Sequence, residues 1–359
     1  MKIYILCPSL THGGAQRVAA NLSNAFVRNG HQVTLFTDLS QPVTYPIEKA
    51  VQLFPLWENA RHHTRWITAI RSVREKMRRE HPDIVIGMMH LCSLAGRLAA
   101  LALPVIPILT IHHAVGHQEV PYSLATRLAD RWMPPLFPCV TVLTHADRHS
   151  YRHKAHIHVM PNPLTFPPAE DIPRKEKIIL AAGRLSAVYI KGWDLLIRAW
   201  TMVDRMFPDW QLVIAGDGNE ADIRILRQLM ADGGVEHHTL LAGYQRDMLP
   251  WYWRAAIFIS SSRSEGQPMV LLEAMSQGCA CIATENDGRT KETITNEQEG
   301  IICQADACSL AQALTRLLRN NPLRATLQQG ALRRSCHYRQ ELIAAQWQRL
   351  FHSLKNNNR

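Results

Sequence analysis

Short apolar runs alternate with amphipathic helical patterns along the whole chain, and this alternation is the feature that most constrains the fold. Strands that alternate with helices build parallel sheets from strand–helix–strand units. The alternation forms two series, separated at 161–168 by a segment with four prolines, a residue that cannot sit in a central strand. The predicted strands cover 3–7, 32–36, 84–87, 106–111 and 139–143 in the first series, and 178–182, 211–215, 239–242, 257–260 and 281–283 in the second.

A chain of 359 residues exceeds the length at which a single core usually stops growing, which favours two domains. We therefore predict the fold class as α/β, with two Rossmann-like, doubly wound parallel-sheet domains facing a cleft. The domains are predicted at 1–160 and 178–338, with a linker over 161–177 and a final helix at about 339–354. Ligands bind such sheets at the carboxyl ends of the strands, so candidate site residues are expected just after strands.

Glu265 and Glu273 flank the start of a predicted helix that follows the strand at 257–260. The helix is predicted to carry Pro268 in its first turn, where the missing N–H of proline costs nothing. Unpaired amides and a positive dipole at a helix start attract an anion. A phosphate held there has a carboxylate on either side, which suits a nucleotide sugar, whose diphosphate lies between sugar and ribose hydroxyls. The alternative is that both glutamates are ordinary exposed side chains.

Two cations follow the first strand of the second series. Arg184 and Lys191 lie just beyond the strand at 178–182. A guanidinium can grip phosphate oxygens in a fork, and an ammonium group supplies a compact charge, so this pair of residue types is suited to a diphosphate. The alternative is a pair of solvated loop cations.

In the first series, Gly13 and Gly14 lie between a strand and a helix, where glycine lets the backbone approach a ligand closely. The segment lacks Gly-x-Gly-x-x-Gly, which disfavours a nicotinamide cofactor. His112 and His113 follow the strand at 106–111, at the edge of the sheet where ligands are expected. A plain tight turn and surface or capping histidines are the alternatives.

Together these motifs resemble the family 4 retaining glycosyltransferases of the GT-B type, also called glycosyltransferase group 1. The resemblance covers nearly the whole chain and is strongest from about 178 to 320. It also implies that the helix at 339–354 packs back on the first domain. The matching motifs are Glu-x7-Glu at 265–273, Gly-Arg-Leu and Lys-Gly at 183–192, Gly-Asp-Gly at 216–218, Gly-Tyr at 243–244 and Gly-Gly-Ala-Gln-Arg at 13–17.

The resemblance implies a role for each candidate, with Glu265 on the donor sugar and Glu273 on the ribose. Two positions depart from the family pattern. Gln16 replaces the usual acid, and Gln267 stands where family members often carry an aromatic residue, a substitution expected to affect donor choice. Tyr244 is implied to border the base, with a packed core tyrosine as the alternative. The implied catalytic residues are Glu265, His112, Arg184 and Lys191. The implied donor-binding residues are Gly14, Arg184, Lys191, Gly216, Tyr244, Glu265, Gly266, Gln267, Pro268, Met269, Val270 and Glu273. The implied acceptor-binding residues are Gly13, His112 and His113.

The implied activity is transfer of a hexosyl-type sugar from a UDP- or GDP-linked donor to a hydroxyl of a glycan or polyprenyl-pyrophosphate-linked acceptor, with retained anomeric configuration. Bacterial surface polysaccharide synthesis (O-antigen, capsule or exopolysaccharide) is the expected setting. No cofactor and no metal are expected, because fixed cations and helix amides can neutralise the departing diphosphate and no Cys/His array has the spacing of a zinc site. A sugar-nucleotide epimerase or hydrolase of the same architecture, and a non-catalytic nucleotide-sugar-binding protein at a membrane, remain alternatives.

Positive charge is concentrated in the first half of the chain. Residues 1–165 hold 17 Lys/Arg against 9 Asp/Glu, a balance of +8, whereas 166–359 hold 23 against 21, a balance of +2. This asymmetry predicts an anionic partner, and without a nucleic-acid-binding motif the membrane surface or a pyrophosphate-linked acceptor fits better than nucleic acid. An arginine-rich amphipathic helix at 61–79 is predicted either to lie on anionic lipid or to pack on the sheet.

The sequence predicts a cytoplasmic protein, with peripheral contact to the inner face of the cell membrane as an option. Its eight cysteines are scattered in mostly apolar runs, as in reduced proteins, and the first residues lack the apolar core of a signal peptide. The longest apolar stretch, 98–111, contains two prolines and is expected to form buried helix, turn and strand rather than a membrane span.

Overall fold

The computed structural model of the chain describes residues 1–57, 64–115, 123–151 and 156–357. These residues form two compact units. The first unit holds the described residues of 1–165 together with the helix that follows 339, and the second unit holds 166–339. Each unit contains one parallel sheet whose strands are connected through helices, so the predicted α/β class with two doubly wound sheets is confirmed.

The sheet of the first unit has seven parallel strands in the order β3-β2-β1-β4-β5-β6-β7. Its strands are β1 (Lys2–Leu6), β2 (Gln32–Thr37), β3 (Gln52–Pro55), β4 (Ile84–Met88), β5 (Ile106–Thr110), β6 (Cys139–Val142) and β7 (Ile157–Val159). The helices between them are α1 (Gly14–Arg28), α2 (Arg65–Glu80), α3 (Met89–Ala99), α4 (Leu124–Trp132) and α5 (His145–His149).

The sheet of the second unit has six parallel strands in the order β10-β9-β8-β11-β12-β13. Its strands are β8 (Glu176–Ala182), β9 (Gln211–Ala215), β10 (Thr239–Gly243), β11 (Ala255–Ser260), β12 (Ala280–Thr284) and β13 (Gly300–Cys303). Its helices are α6 (Val188–Lys191), α7 (Trp193–Val203), α8 (Glu220–Gly233), α9 (Leu249–Arg254), α10 (Met269–Ser276), α11 (Arg289–Thr293), α12 (Ala307–Arg319) and α13 (Asn321–Ser335).

The strand order reverses between β1 and β4 in the first sheet and between β8 and β11 in the second. Because every strand is parallel, all carboxyl ends of a sheet lie at the same edge, and ligands of doubly wound sheets bind there beside the reversal. The segments that follow β8 and β11 are therefore the natural ligand-binding segments of the second unit.

Every predicted strand overlaps an observed strand, whereas β3, β7 and β13 were not predicted. All three lie at sheet edges. An edge strand pairs on one side only and needs no continuous apolar run, so its sequence signal is weak. β3 ends in a proline and β7 has three residues, which weakens the signal further.

α2 uses its apolar side inside the first unit. Ala69, Val73 and Met77 are buried in one cluster with Tyr4 and Phe36. The packed-helix alternative therefore describes α2 in this structure, and the predicted start of the helix at 61 lies outside the described residues.

The apolar stretch at 98–111 divides into the end of α3, a turn and strand β5, as the sequence predicts. A bilayer-spanning helix needs about 20 apolar residues. Among the described residues, no helix combines the length and the apolar composition that crossing a bilayer requires.

The last helix, α14 (Gln340–Asn357), belongs to the first unit. The ring centres of Trp347 and Phe351 lie 6.2 and 5.4 Å from that of Phe26 on α1. At the start of α14, Gln340 Nε2 donates a 2.8 Å hydrogen bond to the carbonyl oxygen of Leu164. The end of the chain thus completes the core of the unit that the start of the chain builds.

Candidate active site

Lys191 and Glu265, both predicted site residues, form an ion pair at the carboxyl edge of the second sheet. Lys191 ends α6, which follows β8, and Glu265 lies on the segment after β11, the strand next to β8. Ser262 Oγ donates a 2.9 Å hydrogen bond to Glu265 Oε1, the same oxygen that Lys191 Nζ contacts. Because the two charged side chains are only 19% and 17% exposed, salt screens their attraction weakly.

Gly192 lets α6 run unusually close to the segment after β11. Its φ is 64°, and a Cβ at this position would lie 2.0 Å from the carbonyl oxygen of Ser261. Ser261 Oγ donates to the Lys191 carbonyl at 2.9 Å, and the Arg263 amide donates to the Ile190 carbonyl at 2.8 Å. These bonds tie α6 to the loop that carries Glu265, and so they hold Lys191 beside it.

An ion pair between Arg263 and Asp194, not predicted from the sequence, braces the same loop. Both guanidinium Nη atoms of Arg263 donate to the Asp194 carboxylate, each at 2.7 Å. Burial alone would raise the pKa of Asp194, but the Arg263 hydrogen bonds and charge hold it below its ordinary value. The arginine also lies 4.2 Å from the ring centre of Tyr189. A single arginine and aspartate some seventy positions apart carry no motif, so only the tertiary structure identifies this pair.

Arg184 lies on the turn after β8 with an exposed side chain. Its carbonyl oxygen accepts a 3.0 Å hydrogen bond from Trp193 Nε1, which anchors the turn. Gly216 supports the turn from β9, because a Cβ there would lie 1.8 Å from the Gly183 carbonyl oxygen. Gly216 thus allows the turn after β9 to pack closely on the turn after β8. The diphosphate contacts of Arg184 stay predictions.

The segment after Glu265 leads into α10. Pro268 is the N-cap of α10 and has an extended conformation, and the helix begins at the next residue. The prediction that Pro268 lies in the first turn of the helix was therefore wrong. A small cavity beside Glu265 is lined by Gly266 and Pro268, and also by Asn286 and Arg289, which follow β12 and were not predicted. Within the predicted donor-binding segment, Gly266, Gln267 and Met269 are buried, and Pro268 and Val270 are half-buried.

The remaining predicted donor residues of the second unit differ in exposure. Glu273 is fully buried on α10, and its Oε2 accepts a 2.8 Å hydrogen bond from the hydroxyl of Tyr252. Its contact with a ribose therefore stays a prediction. Tyr244 is 46% exposed, so the alternative of a packed core tyrosine is wrong.

In the first unit, Gly14 begins α1 and Gly13 is its N-cap with a φ of 129°. The Gly13 amide donates a 2.9 Å hydrogen bond to the Tyr45 hydroxyl, which in turn donates to the Gly13 carbonyl at 3.1 Å. Tyr45 was not predicted as part of this turn, and no local signal marks it. Its hydroxyl stabilises the glycine turn, and the ligand contacts of both glycines stay predictions.

The hydrogen bonds of His112 assign its tautomer. Thr110 Oγ1 donates to the Gly87 carbonyl at 2.8 Å, so its single proton is used there. His112 Nε2, 3.0 Å from Thr110 Oγ1, must then carry the proton of this second bond. Nδ1 is left as an acceptor, and it is buried with no hydrogen-bond partner among the described residues. Burial and the charge of His113 lower the pKa of His112 to about 4.

His113 points to different partners from His112. Its Nε2 lies 2.9 Å from Asp130 Oδ2 on α4, and Asp130 Oδ1 lies 2.9 Å from Nε2 of His90 on α3. The two adjacent histidines therefore do not act as one pair, and the structure separates their surroundings.

Comparisons with known proteins agree with this architecture. A profile described as Glycosyltransferase Family 4 matches residues 12–165, and one described as Glycosyl transferases group 1 matches residues 176–320. The amylovoran biosynthesis glycosyltransferase AmsD of Erwinia amylovora is 26% identical, over 96% of this chain and 98% of its own length. A Campylobacter jejuni α-1,4-N-acetyl-D-galactosaminyltransferase is 24% identical, over 99% of each chain.

Solved structures share the fold. Sucrose-phosphate synthase from Thermosynechococcus elongatus superposes with a TM-score of 0.84 at 19% identity, covering 99% of each chain. Anabaena HepE in complex with UDP and glucose superposes with a TM-score of 0.82 at 16% identity, covering 98% of this chain and all of that one. The two doubly wound sheets and these matches define a glycosyltransferase of the GT-B type. Within that class, the chain belongs to glycosyltransferase family 4, group 1.

Proposed function

We propose that this glycosyltransferase moves a hexosyl-type sugar from a nucleotide-diphosphate sugar to a hydroxyl of a glycan or polyprenyl-pyrophosphate-linked acceptor, with retained anomeric configuration, in bacterial surface polysaccharide synthesis. The names of two relatives support the acceptor class, one for amylovoran biosynthesis and one for a PP-undecaprenol-linked glycan. A HepE structure in complex with UDP-glucose supports UDP as the first donor base to test, with GDP second. The observation that carries the proposal is the Lys191–Glu265 pair at the ends of β8 and β11.

In the proposed reaction, the bond between the sugar C1 and the phosphate oxygen breaks, and its electron pair leaves with the diphosphate. The acceptor hydroxyl attacks C1 from the same face, and its proton passes to the departing phosphate oxygen. Arg184 and Lys191 stabilise the developing negative charge, so the step requires no metal and no cofactor. Glu265 orients the sugar and favours the positive charge that develops on its ring.

His112 is proposed to accept a hydrogen bond from a sugar hydroxyl during this reaction. Its Nδ1 is a buried acceptor without a partner among the described residues, and such an atom is costly to leave unpaired. A substrate hydroxyl satisfies it, which makes hydroxyl recognition the role that fits this nitrogen best.

We propose that contact with an anionic membrane, if the acceptor is lipid-linked, runs through α4 rather than α2. Leu124, Leu128 and Trp132 recur at helical spacing on one side of α4 and are 70%, 47% and 63% exposed. Arg127 and Arg131 lie exposed beside this stripe. Apolar residues that end in a tryptophan and are flanked by arginines suit the interface of an anionic bilayer.

The donor is tested by thermal shift of the purified protein with UDP-, GDP- and ADP-sugars. We expect sugars of one base to raise Tm, and Lys191→Met to remove most of that rise. The matched control is Lys177→Met, since Lys177 is an exposed lysine of β8 paired with Asp209. A protein that responds to none of the three bases would refute the proposed donor site.

Turnover with the identified donor and short acceptors tests the reaction itself. The anomeric proton signal of the product in NMR is expected to show the configuration of the donor sugar. An inverted product would refute retention. If free sugar were released in preference to transfer, the protein would be a hydrolase. If the donor sugar were epimerised instead, the protein would be an epimerase.

Sedimentation with vesicles tests the membrane contact. The protein is expected to pellet with phosphatidylglycerol-containing vesicles at low salt, and less so with phosphatidylcholine alone. Leu128→Glu should leave it in the supernatant, whereas Ile225→Glu, at an equally exposed position of α8, should not. Equal pelleting of both variants would contradict a role for α4.

A further inference from the structure

α4 is held to the first unit without burying any of its own residues. A nine-residue helix is too short to be stable by itself in water, so it needs an anchor. The charged residue on its inner side is Asp130, whose side chain is 14% exposed. The residues that contact Asp130 therefore help to fix the position of α4.

Two histidines from separate elements meet Asp130. His90 is the second residue of α3, and His113 follows β5. The two carboxylate oxygens of Asp130 lie 2.9 Å from Nε2 of His90 and 2.9 Å from Nε2 of His113. One ligand atom from each of the three residues can be chosen so that all lie within 4.8 Å of one another. This spacing lets all three atoms contact one ion.

His90 and Asp130 lie in close, buried contact. Nε2 of His90 and Oδ1 of Asp130 are 2.9 Å apart, yet both are buried and neither makes a hydrogen bond of acceptable geometry among the described residues. A nitrogen and an oxygen this close together can both reach one ion after a small adjustment of their side chains. The residue before His90, Met89, has a φ of 65°, a conformation that non-glycine residues rarely adopt.

We propose that His90, His113 and Asp130 bind one late first-row divalent cation such as Zn²⁺, which fastens α4 to α3 and to the segment after β5. Two imidazoles and one carboxylate form a ligand set that zinc accepts, with a fourth position open to water. The ion has a structural role here and takes no part in the proposed sugar transfer. His113, predicted to bind the acceptor, is thereby reassigned, while His112 keeps its proposed role.

This site goes against the sequence-based expectation of no metal. The three ligands come from three elements at spacings that form no known zinc motif, so the sequence carries no signal for them. A second His/Asp group, formed by Asp204, His237 and His238, offers a matched control within the chain. There, His238 Nδ1 lies 2.7 Å from Asp204 Oδ1 in an ordinary hydrogen bond.

Calorimetric titration of chelator-treated protein with ZnCl₂ tests the proposal. Wild type is expected to bind one equivalent with micromolar or tighter affinity. Asp130→Asn and His90→Gln should each weaken binding at least about 100-fold, since removal of outer-shell partners alone costs 10–100-fold. His238→Gln should bind like wild type. The proposal would be overturned if wild type bound no zinc, or if Asp130→Asn and His90→Gln bound zinc as tightly as wild type does.

Two measurements on the wild type do not depend on the stability of any variant. Co²⁺ in place of Zn²⁺ should give the visible absorption of a four- or five-coordinate nitrogen and oxygen site. Hydrogen exchange of the α4 amides should slow when Zn²⁺ is added and recover with EDTA. Zinc that binds without slowing exchange in α4, or a Co²⁺ spectrum of a fully hydrated ion, would also count against the site.

Discussion

Single residues contribute charge to the proposed donor site of this glycosyltransferase. Lys191 and Glu265 balance each other in the second unit, while the guanidinium of Arg184 is exposed. A diphosphate that reaches this edge of the sheet therefore meets Arg184 as the more accessible cation.

Replacing Arg184 with alanine is expected to lower kcat about 30- to 1000-fold, which corresponds to about 2–4 kcal/mol of lost charge stabilisation on the leaving diphosphate. Steady-state turnover with the identified donor measures the effect. Arg198→Ala is the control, because Arg198 is an exposed arginine of α7 in the same unit. If Arg184→Ala turns over like Arg198→Ala, the diphosphate contact is wrong.

Among secondary-structure elements, the proposed donor site depends most on how α6 packs on the loop after β11. Both Gly192 and Gly234 have a φ of 64°, so an alanine costs backbone strain of about 1–2 kcal/mol at either position. They differ in their surroundings. A Cβ on Gly192 would lie 2.0 Å from a carbonyl oxygen, whereas one on Gly234 would have no atom within 4 Å.

Gly192→Ala is therefore expected to lower Tm more than Gly234→Ala and to weaken donor binding, because it pushes Lys191 away from Glu265. Thermal melts and donor titrations measure the two effects separately. Gly234→Ala should keep wild-type donor affinity despite its lower Tm. Equal donor affinity in both variants would show that close packing at Gly192 does not position Lys191.

At the scale of the whole molecule, the stability of the first unit depends on a helix from the end of the chain as well as on its sheet. α14 follows the second unit in sequence but packs in the first, where Phe351 is fully buried. Phe351→Ala is expected to cost about 3–5 kcal/mol of the stability of the first unit. Leu342→Ala, at a half-exposed position of the same helix, is the control.

Differential scanning calorimetry can follow both variants. The transition of the first unit should shift for Phe351→Ala, while the transition that donor binding raises should stay in place. A uniform shift of the whole melting profile would mean that the two units unfold together. A shift as small as that of Leu342→Ala would mean that α14 contributes little to the core.

The predictions from sequence succeeded where a property is local. Central strands can be recognised from the sequence, because a strand buried on both faces needs a continuous apolar segment. Lys191 and Glu265 were predicted as site residues because each follows such a strand within a short motif, and their roles stay predictions. Edge strand β3 was missed because a strand with one neighbour carries a weaker pattern.

The tertiary structure decided everything that depends on residues meeting across long separations. It pairs Arg263 with Asp194, covers Glu273 with Tyr252 and gathers one aspartate between two histidines. It also assigns the apolar side of α2 to the core, whereas none of the residues of α4 is buried. A sequence pattern reports which side of a helix is apolar, whereas only the packed chain determines what covers that side.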